Sequence, residues 1–270
     1  MRLDGKRIVV VGAGSVGDGL SNGCAAATLF AREGARVLAV DRSRDAAEAT
    51  CAAIASEGLE AVAFEADATD GARAIAEGAA RELGGLDAVH FNVGISRGGG
   101  LFEEAEEDWH RVVETNLTAA WRVVRACAPA MEGGGAFVFV SSVAAIRGGA
   151  YAYTSYEVSK AALGRFARSV AVELAPRGVR SNVVLPGLID TPHAAHFVAR
   201  NRDLDAFGKG RAKLAPLGRQ GTPWDVAEAA AFLLSDAAAY VTGVELPVDG
   251  GLSLVGPGYE GGPRTDRDRR

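Results

Sequence analysis

Apolar positions along this chain follow two rhythms. Short runs rich in β-branched residues, such as Ile8-Val9-Val10-Val11 and Val37-Leu38-Ala39-Val40, alternate with longer stretches of helical periodicity. The runs predict strands near 7–11, 36–40, 60–65, 88–92, 135–140, 179–184 and 244–248. The longer patterns predict helices near 23–33, 44–57, 69–83, 105–131, 155–175 and 223–235. Strands that are apolar on both faces, with helices between them, belong to a parallel sheet covered on both sides. The pattern predicts a doubly wound α/β fold of about seven strands that binds its ligand beyond the strands' carboxyl ends. Residues 1–255 read as one domain, within which the polar, weakly periodic residues 193–221 read as a flap with short helices. Residues 256–270, Gly/Pro-rich and then charged, read as a frayed tail.

Composition removes several function classes. The chain has 270 residues, 48% of them hydrophobic, enough for one large core. A net charge of -5 offers no basic stripe for a phosphate backbone, so no nucleic-acid partner is expected. No apolar stretch is long enough to span a membrane, and Met1 lies too close to the first strand for a signal peptide. Cys24, Cys51 and Cys127 are odd in number and lack metal spacing, which predicts free thiols in a reducing cytoplasm. His193 and His196 have no third ligand nearby in sequence, so no metal is expected.

Between the first strand and the first helix lies VGAGSVGDGLSNG, residues 11–23. Gly12, Gly14 and Gly17 spell the general dinucleotide fingerprint, but that register puts Asp18, Gly19, Ser21 and Asn22 inside a helix, where they are poor residues. A helix beginning at Gly23, capped by Asn22 or Ser21, is the better reading, with residues 12–22 forming one long loop over a pyrophosphate. In it Gly12 and Gly14 make the tight exit from the strand, Ser15 stands beside them, and Gly17 and Gly19 belong to an expansion. No Lys-Ser/Thr pair follows the last glycine, so an NTPase P-loop is excluded. Asp41 ends the second strand, where a carboxylate would accept hydrogen bonds from ribose hydroxyls.

Further along, Tyr156 and Lys160 share one helix face by their spacing. A nearby ammonium favours phenolate, so the tyrosine is expected below its ordinary range and able to exchange a proton with a carbinol or carbonyl oxygen.

Taken in order, these pieces resemble the classical short-chain dehydrogenase/reductase family, from Arg7 to about Leu254, in a variant with an expanded glycine loop. The matching residues are the loop, Asp41, Asp67-Ala68, Asn92-Val93-Gly94, Asn116, Ser141-Ser142-Val143, Tyr156/Lys160, Pro186 to Thr191 and the closing Val248-Asp249-Gly250-Gly251. The resemblance implies a Rossmann-type fold and an NAD(P)-dependent oxidoreductase in which Tyr156 is the general acid/base. Lys160 would lower its pKa and hold the nicotinamide ribose, and Ser142 would donate to the substrate oxygen. Asn116 would hold a water on a proton path, or else simply bond backbone. Ser141 is the fallback donor, because Ser142 and Tyr156 stand fourteen apart where thirteen is more usual. Thr191, with Pro186, Gly187 and Ile189, would position the carboxamide, while Asp67 and Ala68 would frame the adenine.

Asp41 favours NAD over NADP by charge repulsion, partly offset by Arg42. Ile95, Ser96, Val143, Tyr151, Tyr153, Leu188, His193 and Phe197 would wall an apolar pocket suited to a hydrophobic or cyclic secondary alcohol or ketone. Two departures stand out: Val11 replaces a usual threonine and Phe91 a usual asparagine, so packing must replace hydrogen bonds there. The alternatives are a 3-oxoacyl-thioester reductase using NADPH, with only Arg97 and Arg147 near the cleft to greet an acidic carrier, and a non-catalytic dinucleotide-binding regulator. The resemblance implies pairing through the helices near 105–131 and 155–175, whose faces are alanine-rich, and so a homotetramer, otherwise a homodimer.

Overall fold

Seven parallel strands form one sheet in the order β3-β2-β1-β4-β5-β6-β7. They are β1 (Arg7–Val11), β2 (Arg36–Asp41), β3 (Ala61–Glu65), β4 (Ala88–Phe91), β5 (Gly135–Val140), β6 (Val179–Pro186) and β7 (Glu245–Val248). The protein is seen as a computed structural model that describes residues 1–15, 17, 19–148, 152–192, 210–256 and 259. Successive side chains of β1 go to opposite faces. Val9 and Val11 join a core with Phe91, Phe137 and Phe139, whereas Ile8 and Val10 join a second core with Phe30, Val138 and Ala227. This is why the strands read as unbroken apolar runs.

Helices α1 (Asn22–Arg32) and α7 (Pro223–Leu234) contribute to the second core. Helices α3 (Ala72–Gly78), α5 (Ala119–Cys127) and α6 (Thr154–Leu174) contribute to the first. Helix α2 (Arg44–Ala55) packs on β3 and β2, and α4 (Glu106–Val113) precedes α5. The strand order reverses between β1 and β4, which opens a crevice at their carboxyl ends. Among the described residues no helix is long and apolar enough to cross a membrane.

Two expected helices differ in detail. The stretch 105–131 is not one regular helix, because a π-turn, Glu114–Thr118, lies between α4 and α5 and a 3-10 turn, Ala128–Ala130, follows. The helix expected from 69 starts at Ala72, since Asp67 first folds its own turn. Its Oδ1 accepts from Thr69 N–H (2.9 Å) and Thr69 Oγ1 (2.8 Å), and its carbonyl from Gly71 N–H (2.6 Å).

Candidate active site

Beyond the carboxyl ends of the strands lies an open cleft of about 380 Å³. Its β1 side is built by the glycine loop. Gly12 leaves the strand with a positive φ of 82°, and its N–H reaches Val40 O at 2.8 Å. Helix α1 then presses on this turn so closely that a Cβ at Gly23 would lie 1.8 Å from Gly12 O. Ser21 is the N-cap: its Oγ accepts from Cys24 N–H (3.0 Å) and donates to Gly14 O (2.8 Å). That second bond closes the base of the expansion, and Ser15 Oγ closes it again further out on Gly19 O (2.8 Å). At its tip Gly19 lies against Pro192, one residue past Thr191. Gly19 therefore reaches toward the far wall of the cleft, while helix α1 starts at Asn22.

The two apolar departures are resolved by packing plus one retained bond. Val11 and Phe91 face each other in register, both buried, and Phe91 meets Phe139 with ring centroids 6.2 Å apart. Asn92 Nδ2 still ties strand to loop by donating to Gly12 O at 3.0 Å. At the end of β2, Asp41 accepts from Gly14 N–H and Ser43 N–H, each at 3.0 Å, so one carboxylate fixes both the loop and the start of α2.

The opposite side of the cleft is built by β4, β5 and α6. Lys160 is buried, and its Nζ donates to Val140 O (2.9 Å), 5.8 Å from the Tyr156 ring centroid. Gly94 gives it room, since a Cβ there would sit 2.7 Å from that Nζ. Ser142 caps the 3-10 turn Val143–Ala145 and is hydrogen-bonded to Tyr156. Ser141 is spent elsewhere: buried, it donates to Lys160 O at 2.7 Å, which leaves Ser142 as the hydroxyl next to the tyrosine. Tyr153 meets the Tyr156 ring edge-on at 5.5 Å.

The charges depart from expectation. Spacing alone predicts a tyrosine lowered by Lys160. Instead burial pushes Tyr156 above its ordinary range, the hydrogen bond with Ser142 pulls against that shift, and Lys160 itself is lowered to about 8 by burial. Burial disfavours the charged form of both groups, which is why each moves toward its neutral form despite the four-residue spacing.

Asn116 is fully buried on the π-turn. Its Oδ1 accepts from Ile95 N–H (2.8 Å), and its Nδ2 donates to Ile95 O (2.9 Å) and Ser159 Oγ (3.0 Å). Both amide protons and the amide oxygen are used, so the side chain's bonds go to Ile95 and Ser159. It pins the segment after β4 to α6, behind the cleft wall.

Of the expected residues, Gly12, Gly14, Ser15, Asn22, Asp41, Arg42, Asp67, Ala68, Asn92, Val93, Gly94, Ile95, Ser142, Tyr156, Lys160, Pro186, Gly187, Ile189 and Thr191 line the cleft. Gly23 lies beneath it. Ser96, Val143, Tyr153 and Leu188 are half-buried outside its lining, and Tyr151, His193 and Phe197 lie outside the described residues. Ser21, foreseen as a cap, also lines it, and so do Ala66, Thr69, Thr115, Val140, Pro192 and Arg211, which were not foreseen. Thr69 had a signal, its place two residues after Asp67; Arg211 had none, because nothing local in the flap marks which residue returns to the cleft.

The lining fits a nicotinamide dinucleotide. Helix α1 points its amino end at the cleft, Asp41 suits a ribose, and Asn22 Oδ1 is a buried polar atom without a hydrogen-bond partner beside the loop. No group of three or more His, Cys, Asp or Glu that could hold a metal occurs among the described residues.

Comparisons with known proteins agree with this geometry. A family model described as Enoyl-(Acyl carrier protein) reductase matches residues 18–253. The chain is 36% identical over 258 residues to a 2,5-dichloro-2,5-cyclohexadiene-1,4-diol dehydrogenase of Sphingobium indicum, covering 94% of this chain and 98% of that one. It is 35% identical over 260 residues to a 3-oxoacyl-[acyl-carrier-protein] reductase of Thermotoga maritima, covering 94% and 100%. A crystal structure titled as a short-chain dehydrogenase/reductase from Burkholderia xenovorans superposes with a TM-score of 0.91 at 38% identity, covering 94% and 99%.

Proposed function

The chain belongs to the short-chain dehydrogenase/reductase family of oxidoreductases acting on CH–OH groups, and from that premise we propose that it interconverts a hydrophobic or cyclic secondary alcohol and its ketone with NAD(H). The observation that carries the reading is that Tyr156, Ser142 and Lys160 share one cleft with Asp41.

A nicotinamide dinucleotide supplies the hydride acceptor or donor. The residues of the chain do the rest. Ser142 donates a hydrogen bond to the substrate oxygen and stabilises the charge that develops there. Tyr156 takes the hydroxyl proton in oxidation and returns it to the carbonyl oxygen in reduction. Lys160 holds the ribose from the same helix face. Asn116 keeps Ile95 and α6 in register, so the apolar wall and the tyrosine stay aligned. Asp41 accepts from the adenosine ribose hydroxyls and repels a 2′-phosphate, which makes NAD the preferred cofactor despite Arg42.

The Thermotoga relative supports a second reading, an NADPH-dependent 3-oxoacyl-thioester reductase. Charge weighs against it. Glu103, Glu106 and Glu107 are exposed on the segment beside the active-site bridge Gly99–Tyr153, where an acidic carrier would meet repulsion. The two arginines named from the sequence are engaged, Arg97 with Asp108 and Arg147 with Leu252 O. A non-catalytic regulator would have no use for a complete Ser142–Tyr156–Lys160 cluster.

Exposed apolar residues on α5 and α6, Trp121 at 43% and Val172 at 78%, support a tetramer or dimer, which light scattering checks. Three free thiols support a cytoplasmic site of action.

The test is a panel of secondary alcohols and ketones offered with NAD and NADP, followed by the absorbance of reduced nicotinamide. Turnover of apolar or cyclic members with NAD is expected. Turnover of 3-oxoacyl thioesters with NADPH alone would favour the second reading. NADH binding without any turnover would favour the regulator.

A further inference from the structure

Helix α6 carries Tyr156 and Lys160, yet its own sequence does not cap it. Tyr153, at the N-cap position, makes no side-chain bond to the first turn, and the first N–H groups of a helix have no partner within it. Their partners come from the segment after β4, far away in sequence. Thr154 N–H reaches Gly99 O at 3.4 Å, and Ser155 N–H reaches Glu104 Oε2 at 3.1 Å. Ser155 Oγ donates to the other carboxylate oxygen, Glu104 Oε1. Ser155 is fully buried and Glu104 half-buried. Glu104 is itself set by a tight turn, its N–H bonding Gly100 O at 3.0 Å, and Gly99 N–H bonds Ala152 O at 3.1 Å to complete the joint.

We propose that Glu104 is a positioning residue for the acid/base tyrosine, its carboxylate fixing the first turn of α6 in trans through both the backbone and the side chain of Ser155. Ser155 is the residue immediately before Tyr156. Two bonds from one carboxylate set the rotation of that turn as well as its height, and therefore where the phenol hydroxyl stands relative to Ser142. A carboxylate suits the place twice over: it accepts two hydrogen bonds at once, and its charge lies at the positive end of the helix. The segment that holds Glu104 also supplies Ile95 to the cleft wall, so the substrate wall and the tyrosine are joined as one piece.

The inference rests on Tyr156 being the acid/base. Tyr156→Phe, run in parallel, separates failure of that assignment from failure of this one. The decisive variants are Glu104→Ala, Glu104→Gln and Ser155→Ala in the full-length protein, with NADH affinity read by fluorescence and turnover read across pH. Glu104→Ala should lower kcat tenfold or more, leave the Kd for NADH within twofold, and move the midpoint of the alcohol-oxidation profile to higher pH, because the Tyr156–Ser142 bond loosens. Glu104→Gln, which can still bond both Ser155 groups, should restore most of kcat and the original midpoint. Ser155→Ala, which loses one of the two bonds, should fall between them and remains informative if Glu104→Ala does not fold. A folded Glu104→Ala protein with unchanged kcat and midpoint overturns the proposal, whatever its melting temperature. So does a loss of kcat matched by an equal loss of NADH affinity.

Discussion

His90 sits in the middle of β4 with no exposure, between Val10 and Val138 in the sheet and edge-on to Phe30 at 5.5 Å. Neither ring nitrogen has a hydrogen-bond partner, and burial lowers its pKa from 6.5 to about 3. The folded protein therefore keeps this imidazole neutral at a pH where the unfolded chain protonates it. Stability is whole above the unfolded value and is lost as pH falls below it, by about 1.4 kcal/mol per pH unit until the folded value is reached. From about pH 7.5 to pH 5 the loss is about 2 kcal/mol, a sizeable share of the ~5–15 kcal/mol typical of a folded domain. The carboxylates held low by arginines, Asp87 by Arg7 and Asp225 by Arg219, contribute stability that is lost only at lower pH, through their own folded values. The window from about pH 5 to 7.5 therefore isolates the histidine. Urea unfolding across that window should show the slope in the unmodified protein and its near disappearance in His90→Leu. That variant also removes two unsatisfied nitrogens, each costing about 1–3 kcal/mol, and should be at least as stable at pH 7.5. Parallel stability curves for the two proteins would refute the reasoning.

Three further outcomes test the site. Tyr156→Phe should lower turnover by about 10² or more while leaving NADH affinity nearly unchanged, measured by steady-state kinetics beside a binding titration. Ser142→Ala should lower turnover and also raise the pH at which alcohol oxidation reaches half its maximum, because its hydrogen bond is what pulls the Tyr156 pKa down against burial; an unmoved midpoint refutes that cause. Asp41→Ala should weaken NADH binding by about 10- to 100-fold, as expected for a lost hydrogen bond to a charged group, and narrow the gap to NADPH. Equal affinity of the unmodified protein for both cofactors would sink the preference.

What was legible in the sequence follows from local physics. The central strands were legible because both their faces are buried, which leaves an unmistakable run such as Ile8 to Val11, while the edge strands β3 and β7 are only partly buried. The start of α1 was legible because a serine caps well and glycines make poor helix, and Ser21 does cap it. The π-turn at Glu114–Thr118 was not legible, since a single extra residue barely disturbs apolar periodicity over a long stretch. Glu104 was hidden for the opposite reason. Its partner Ser155 is 51 residues away, so no local pattern carries the cap.

The tyrosine and the lysine show where such reading ends. Four-residue spacing makes them neighbours on a helix face, and they are neighbours. Spacing does not say how much water surrounds them, and that decides their charge. Burial between the ends of β4 and β5 and α6 raises one group and lowers the other, and the Lys160 ammonium donates to the Val140 carbonyl. The motif names the two groups that meet. Their proton affinities come from the rest of the fold: Val140 at the end of β5, Ser142 on the turn after it, and the missing side chain at Gly94 that lets the ammonium in.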